Sequence, residues 1–151
     1  MEVFMRISSK GRYGLASMIC VAQLGKGGEF VTVISIADKL GISKIYLEQV
    51  FSLLKRSKLV TSNKGSQGGY QLTKSSDKIT AYDILQAVET SLFEKTERSV
   101  SEASGEIEAS LNTLVWDKLD NAVTDVLNKI TLEDMVLEAE KNNGEQFMFY
   151  I

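Results

Sequence analysis

Polar side chains recur on one side of a helix-length segment that starts after Ser43: Lys44, Glu48, Gln49 and Ser52, with Lys55 and Arg56 near its end. Residues three and four apart share a helix face. The chemistry of this face suits base edges. A glutamine amide can pair bidentately with adenine, a glutamate can accept from the cytosine amino group, and the cations suit phosphate. A second cluster follows in Ser62–Gly69 (SNKGSQGG). Its glycines supply positive φ and close backbone approach, and Lys64 supplies a cation that reaches phosphate or the minor groove. A glycine-rich loop also suggests nucleotide binding. This one joins two strand-like runs instead of opening a helix, so no helix N-terminus is there to hold a phosphate.

Other chemistries have little to work with. The chain has no His and one Cys, Cys20. That excludes a Cys/His zinc site, a His-based triad and an intramolecular disulfide, and makes an enzyme the least expected reading. No cofactor is expected. Cys20 falls on an apolar stripe with Tyr13, Ala16 and Leu24, where it reads as a small core hydrophobe. The alternative, a redox-sensing thiol, is the weaker reading, because burial raises a thiol pKa and leaves little thiolate.

The overall charge of −3 conceals two opposed halves. Residues 1–80 hold 12 Lys+Arg against 5 Asp+Glu, a net of +7, and residues 81–151 hold 5 against 15, a net of −10. A basic half that meets phosphate and an acidic half with another task fit this asymmetry. No run of about 18 apolar residues is present, and residues 1–30 lack a signal-peptide layout, so a soluble, cytoplasmic protein is expected.

The elements that must position the polar face follow from capping and periodicity. A first helix from Ser9 is apolar on most of its circumference and ends at Gly25, Gly27 and Gly28, which predicts burial among neighbours. Thr32 caps a second helix that Gly41 stops, and Ser43 caps a third over Lys44–Ser57, with Tyr46 or Leu47, Val50, Phe51 and Leu54 facing inward. Strands are expected at Leu59–Thr61 and Tyr70–Leu72. Thr80 with Asp83 forms a capping box for a helix over Ala81–Glu89, and Ser91–Glu106 reads as a flexible acidic loop.

Ile107, Leu111, Leu114, Val115, Leu119, Ala122, Val123, Val126, Leu127 and Ile130 then mark a long amphipathic helix suited to dimerisation. Thr131 and Asp134 cap a last helix that Asn142-Asn143-Gly144 should end. The fold class is mainly α with a small β wing (α+β): a winged helix-turn-helix headpiece plus a long dimerisation helix. Its parts are a DNA-binding domain over 5–90, the loop over 91–106, the dimerisation and following helices over 107–141, and a tail over 142–151. Met5 reads like a natural start, with residues 1–4 an alternative start or an extension.

Five segments together resemble the Rrf-type winged-helix regulators: RISSKGRYGL, GISKIYLEQVFSLLKRSKLV, KGSQGGYQL, ITAYDILQAVE, and W-x5-AV-x2-VL-x3-TLED from Trp116 to Asp134. The resemblance implies a DNA-binding homodimer. Carried over by motif, the DNA contacts would be Ser43, Lys44, Tyr46, Glu48, Gln49 and Ser52 on the third helix and Lys64 and Gly65 in the wing. Lys10 and Arg12 would meet phosphates. Cluster-binding members carry three cysteines in the loop before the dimerisation helix, and Ser91–Glu106 has none. The chain is therefore similar to the cysteine-metabolism repressors that lack the cluster. That likeness implies a protein corepressor, cysteine synthase (O-acetylserine thiol-lyase), a pyridoxal-phosphate enzyme. Phe147, Met148, Phe149, Tyr150 and Ile151, with a terminal isoleucine carboxylate, look similar to a peptide docking in its active site. Double-stranded DNA, a second copy and cysteine synthase are the partners expected, with no membrane.

Overall fold

The computed structural model describes residues 7–65 and 68–149, without the side chains of 145–149. Ser8 caps α1 (Ser9–Leu24), its hydroxyl accepting from the Gly11 amide. With apolar residues on most sides, α1 is the central helix: Met18, Cys20 and Val21 are buried where α2, α3, α4 and α7 pack around it.

Thr32 accepts from the Ser35 amide at 3.1 Å and starts α2 (Val33–Leu40). Gly41 ends it in the left-handed region, φ 67°, which lets the chain turn sharply into α3 (Lys44–Arg56). Ser43 caps α3 by accepting from the Tyr46 amide at 3.2 Å, and Leu47, Val50, Phe51 and Leu54 are its buried stripe. Tyr46 is the half-buried flank of that stripe. After the Ser57 cap, Lys58 takes a left-handed φ of 63°, unusual for a residue with a Cβ, and redirects the chain into the hairpin.

The hairpin pairs β1 (Val60–Asn63) with antiparallel β2 (Gly69–Leu72), in the register Val60↔Leu72 to Asn63↔Gly69. The first strand thus lies later than the expected Leu59–Thr61, because Leu59 belongs to the core and leads in from the Lys58 turn. A third rung was not anticipated. Val31 and Tyr70 exchange both backbone hydrogen bonds at 2.8 Å, tying the hairpin to the segment before α2. Tyr70 also stacks on Phe51, with ring centroids 4.4 Å apart, so β2 is fixed to α3 as well.

Both halves of the Thr80–Asp83 capping box form, and α4 spans Ala81–Val88. The segment after it is less loose than its composition suggests. It includes 3₁₀ turns at Thr90–Phe93 and Glu102–Ser104. The buried Glu108 carboxylate accepts from the amides of Ser99 and Val100 at 3.0–3.1 Å, folding the acidic loop back onto the next helix.

That helix starts at Gly105, two residues before the expected Ile107, and is not uniformly α. It runs as α5 (Gly105–Leu111), a π turn at Asn112–Trp116, and α6 (Asp117–Asn128), with right-handed backbone at both junctions. The π turn shifts the phase of the apolar stripe partway along the rod.

The Thr131–Asp134 box also forms, with both hydrogen bonds at 3.0 Å. An isolated Thr80–Thr131 bridge anchors this corner to the headpiece. The last helix, α7 (Leu132–Phe149), does not stop at Asn142–Gly144. Asn and Gly each cost a helix under about 1 kcal/mol, and without a proline the hydrogen-bonded ladder continues through them.

Candidate nucleic-acid interface

The outward side of α3 is open to solvent. Ser43, Lys44, Ile45, Glu48, Gln49, Ser52, Lys55 and Arg56 are all exposed, on the side away from Leu47, Val50, Phe51 and Leu54. Lys44 and Glu48 approach to 4.0 Å, an exposed i,i+4 pair that contributes little to stability. Ser43 already uses its hydroxyl to cap α3, so its part is first of all to hold the helix start.

Beside α3 and the wing lies a cleft of about 540 Å³, with Thr32, Ile34, Asn63 and Tyr70 among its walls. Three cations, Lys44, Lys55 and Lys64, come to this cleft from two different elements, and Gly65 lines it too. Among the described residues no carboxylate lines it, although Glu48 stands 4.0 Å from Lys44. A positive recess beside a polar helix face offers phosphate-binding cations and base-reading groups side by side. Of the three cleft cations, Lys55 alone falls outside the DNA contacts that the family resemblance implies. Its signal was present, as a lysine in the last turn of α3.

Tyr46 is placed differently from the other candidates. Its ring meets Tyr13 of α1 edge to face, at 5.1 Å between centroids. The Arg12 guanidinium lies 5.9 Å from the centre of the Tyr13 ring and donates to Ser9 Oγ at 3.1 Å. Tyr46 therefore links α3 to the basic start of α1, where Lys10 and Arg12 are exposed.

A carboxylate missed in the sequence holds that start in place. Glu89, just after α4, is buried and accepts from the Ser8 amide at 2.8 Å and from the Ser8 hydroxyl, while Ser91 Oγ donates at 3.1 Å. Burial alone would raise its pKa, but the Ser8 and Ser91 hydrogen bonds and nearby Lys10 outweigh burial and hold it below the ordinary glutamate value. A lone glutamate closing a helix gives no sequence signal, since its partner lies 81 residues away.

Cys20 is 1% exposed in the core of α1. Burial pushes its thiol pKa up, with Lys39 opposing weakly. Among the described residues no helix is long and apolar enough to cross a membrane. The five tail candidates Phe147–Ile151 lie outside the described residues, apart from the helical backbone through Phe149.

Comparison with known proteins gives this interface its context. CymR of Bacillus subtilis (strain 168), an HTH-type transcriptional regulator, is 41% identical over 150 residues, covering 97% of this chain and all of that protein. The HTH-type transcriptional regulator IscR of Pectobacterium carotovorum is 38% identical over 136 residues, covering 90% of this chain and 82% of that one. Among solved structures, CymR, the global cysteine regulator of B. subtilis, superposes with a TM-score of 0.72 at 35% identity, over 89% of this chain and 98% of that one. IscR of T. potens gives 0.71 at 34% identity, over 92% and 91%. The family model described as Rrf2, iron-dependent transcriptional regulator, matches residues 7–138. With its winged helix-turn-helix architecture and these matches, the chain belongs to the Rrf2 family of transcriptional regulators.

Proposed function

We propose that this chain is a homodimeric DNA-binding repressor of cysteine and sulfur metabolism genes, free of an iron–sulfur cluster and controlled by a protein corepressor. The observation that carries the reading is the cleft of Lys44, Lys55 and Lys64 beside the exposed Glu48, Gln49 and Ser52 of α3. Helix-turn-helix dimers place such a helix in successive major grooves, which fits a roughly palindromic operator. Lys44, Lys64, Lys10 and Arg12 would hold phosphates, Glu48 and Gln49 would read base edges, and Ser43, Tyr46, Ser52 and Gly65 would complete the contact.

Dimerisation is supported by the rod of α5 and α6. Ile107, Leu114, Val115, Leu119 and Val126 are 42–62% exposed along it, a series of large apolar side chains that one protomer leaves uncovered. A second copy related by a two-fold axis would cover this face.

The regulon is argued from likeness to CymR, the global cysteine regulator of B. subtilis. The family's iron-dependent description needs a donor set this chain does not have. Iron–sulfur clusters are held by several cysteine thiolates, and the one cysteine here is shut inside α1. The same burial argues against Cys20 as the sensor.

The corepressor is cysteine synthase, engaging Phe147–Ile151 when O-acetylserine is scarce. Such a partner controls repression only if it binds the DNA-competent state more tightly than the other. Footprinting on genomic promoters, with and without cysteine synthase, tests the reading. Protection of near-palindromic sites upstream of sulfur genes, strengthened by cysteine synthase and not strengthened once Ile151 is deleted, is the expected result. Protection that ignores the enzyme would overturn the corepressor, and protection of no promoter would overturn the repressor itself.

A further inference from the structure

Ile45 is 73% exposed, beyond Ile34 at 59% and every large apolar residue of the α5–α6 rod. It is the second residue of α3, on the side opposite the buried stripe, and helical spacing puts it on one face with Glu48, Gln49 and Ser52. Folding gives no reason for it. A β-branched residue is a poorer helix former than lysine or glutamate, and most of its surface is left in solvent here.

A single exposed apolar residue is ordinary on a protein surface, but one set in the first turn of this polar face is placed to meet an apolar group on whatever the face binds. The surroundings restrict what that counterpart can belong to. Lys44 precedes Ile45, and Lys55 and Lys64 line the cleft alongside, so a polyanion is the occupant whose charge fits this face. The edges of the bases in a DNA major groove present one apolar group, the C5-methyl of thymine.

Resting on the DNA-binding reading above, we infer that Ile45 is a specificity-determining residue that reads a thymine methyl in each half-site. The base lies next to those contacted by Glu48 and Gln49. Shape and charge would then place the helix, and Ile45 would distinguish thymine from cytosine at one position without a hydrogen bond.

The test uses duplexes that the full-length protein enriches from a random-sequence pool. Each thymine is replaced singly by deoxyuridine, which pairs identically but lacks the methyl. With the wild-type protein, one thymine position per half-site should lose about four-fold in affinity, the ratio for burying one methylene-sized group, and about fifteen-fold when both half-sites are changed. Ile45→Ala, at a solvent-exposed site, should keep the wild-type melting temperature, bind the thymine duplex more weakly, and show no difference between thymine and deoxyuridine. Methyl dependence that persists in Ile45→Ala, or no methyl-dependent position in the wild type, overturns the assignment. If the protein enriches no duplex, the DNA-binding reading has failed and takes this assignment with it.

Discussion

Replacing Gly69 with alanine should detach the wing from the rest of the headpiece. A methyl group there would stand 2.5 Å from the Val31 carbonyl carbon and 2.9 Å from the Thr32 nitrogen, backbone atoms with no rotamer to escape into. To admit it, β2 must move off the Val31 segment. That breaks the two 2.8 Å bonds between Val31 and Tyr70 and pulls Tyr70 from its stack on Phe51. Two backbone hydrogen bonds are worth about 1 kcal/mol each and the aromatic pair about 1 more, so the loss should be about 3 kcal/mol. For a chain of this length that lowers the melting temperature by about 6–12 °C. Circular dichroism melts would show it, and duplex affinity should fall with it because Lys64 rides on the displaced hairpin. Gly144→Ala is the matched control. A Cβ there meets nothing within 4 Å, so the same substitution inside α7 should stabilise by about 0.5–1 kcal/mol. An unchanged melting temperature for Gly69→Ala would refute the reasoning, because the wing would then not be fixed through Val31.

Glu89→Gln should cost about 2 kcal/mol at neutral pH, since charged acceptors make the stronger hydrogen bonds. Because the folded pKa of Glu89 is lowered, its stabilisation is complete above the ordinary glutamate value of about 4.3 and is lost as pH falls through the folded value. The gap in melting temperature between wild type and variant should therefore close on acidification below about pH 4.3; a gap that widens there would reverse the sign of the argument. Leu114→Glu, at a position 62% exposed on the rod, should weaken the dimer by about 4 kcal/mol, roughly a thousand-fold, counting one buried leucine from each protomer. Sedimentation would read this, and an undisturbed dimer would move the interface elsewhere. Lys58→Gly should stabilise by about 0.5–1 kcal/mol in denaturant titrations by relieving the left-handed backbone at that turn, whereas a loss of stability would mean that the lysine side chain contributes more than the backbone strain costs.

Elements governed by local rules were legible in the sequence. Thr32, Ser43, Thr80 with Asp83, and Thr131 with Asp134 cap helices where their spacing indicates, and Gly41 makes the turn its lack of a Cβ permits. The basic, polar face of α3 was legible for the same reason: one helical period sorts its residues into buried and exposed. What escaped depends on partners far along the chain. Val31 pairs with Tyr70 and Glu89 closes on Ser8, and neither segment carries a mark of the other. Lys58 in a left-handed turn and the π turn at Asn112–Trp116 go against the ordinary right-handed α backbone, and no capping or periodicity rule marks either place. At Asn142–Gly144 weak propensities suggested an end, and an uninterrupted backbone ladder outweighed them.

Salt-dependent binding of promoter duplexes by the wild-type protein and by Lys44→Glu/Lys64→Glu shows whether α3 and its wing meet DNA. Each phosphate held by a cation contributes about −0.9 to the slope of log affinity against log salt, so removing two contacts from each protomer of a dimer should flatten the slope by about 3.6. The expected result is that flattening together with a collapse of affinity at moderate salt. Equal affinity and equal slope for the two proteins would contradict it, and α3 with its wing would not be the surface that meets DNA.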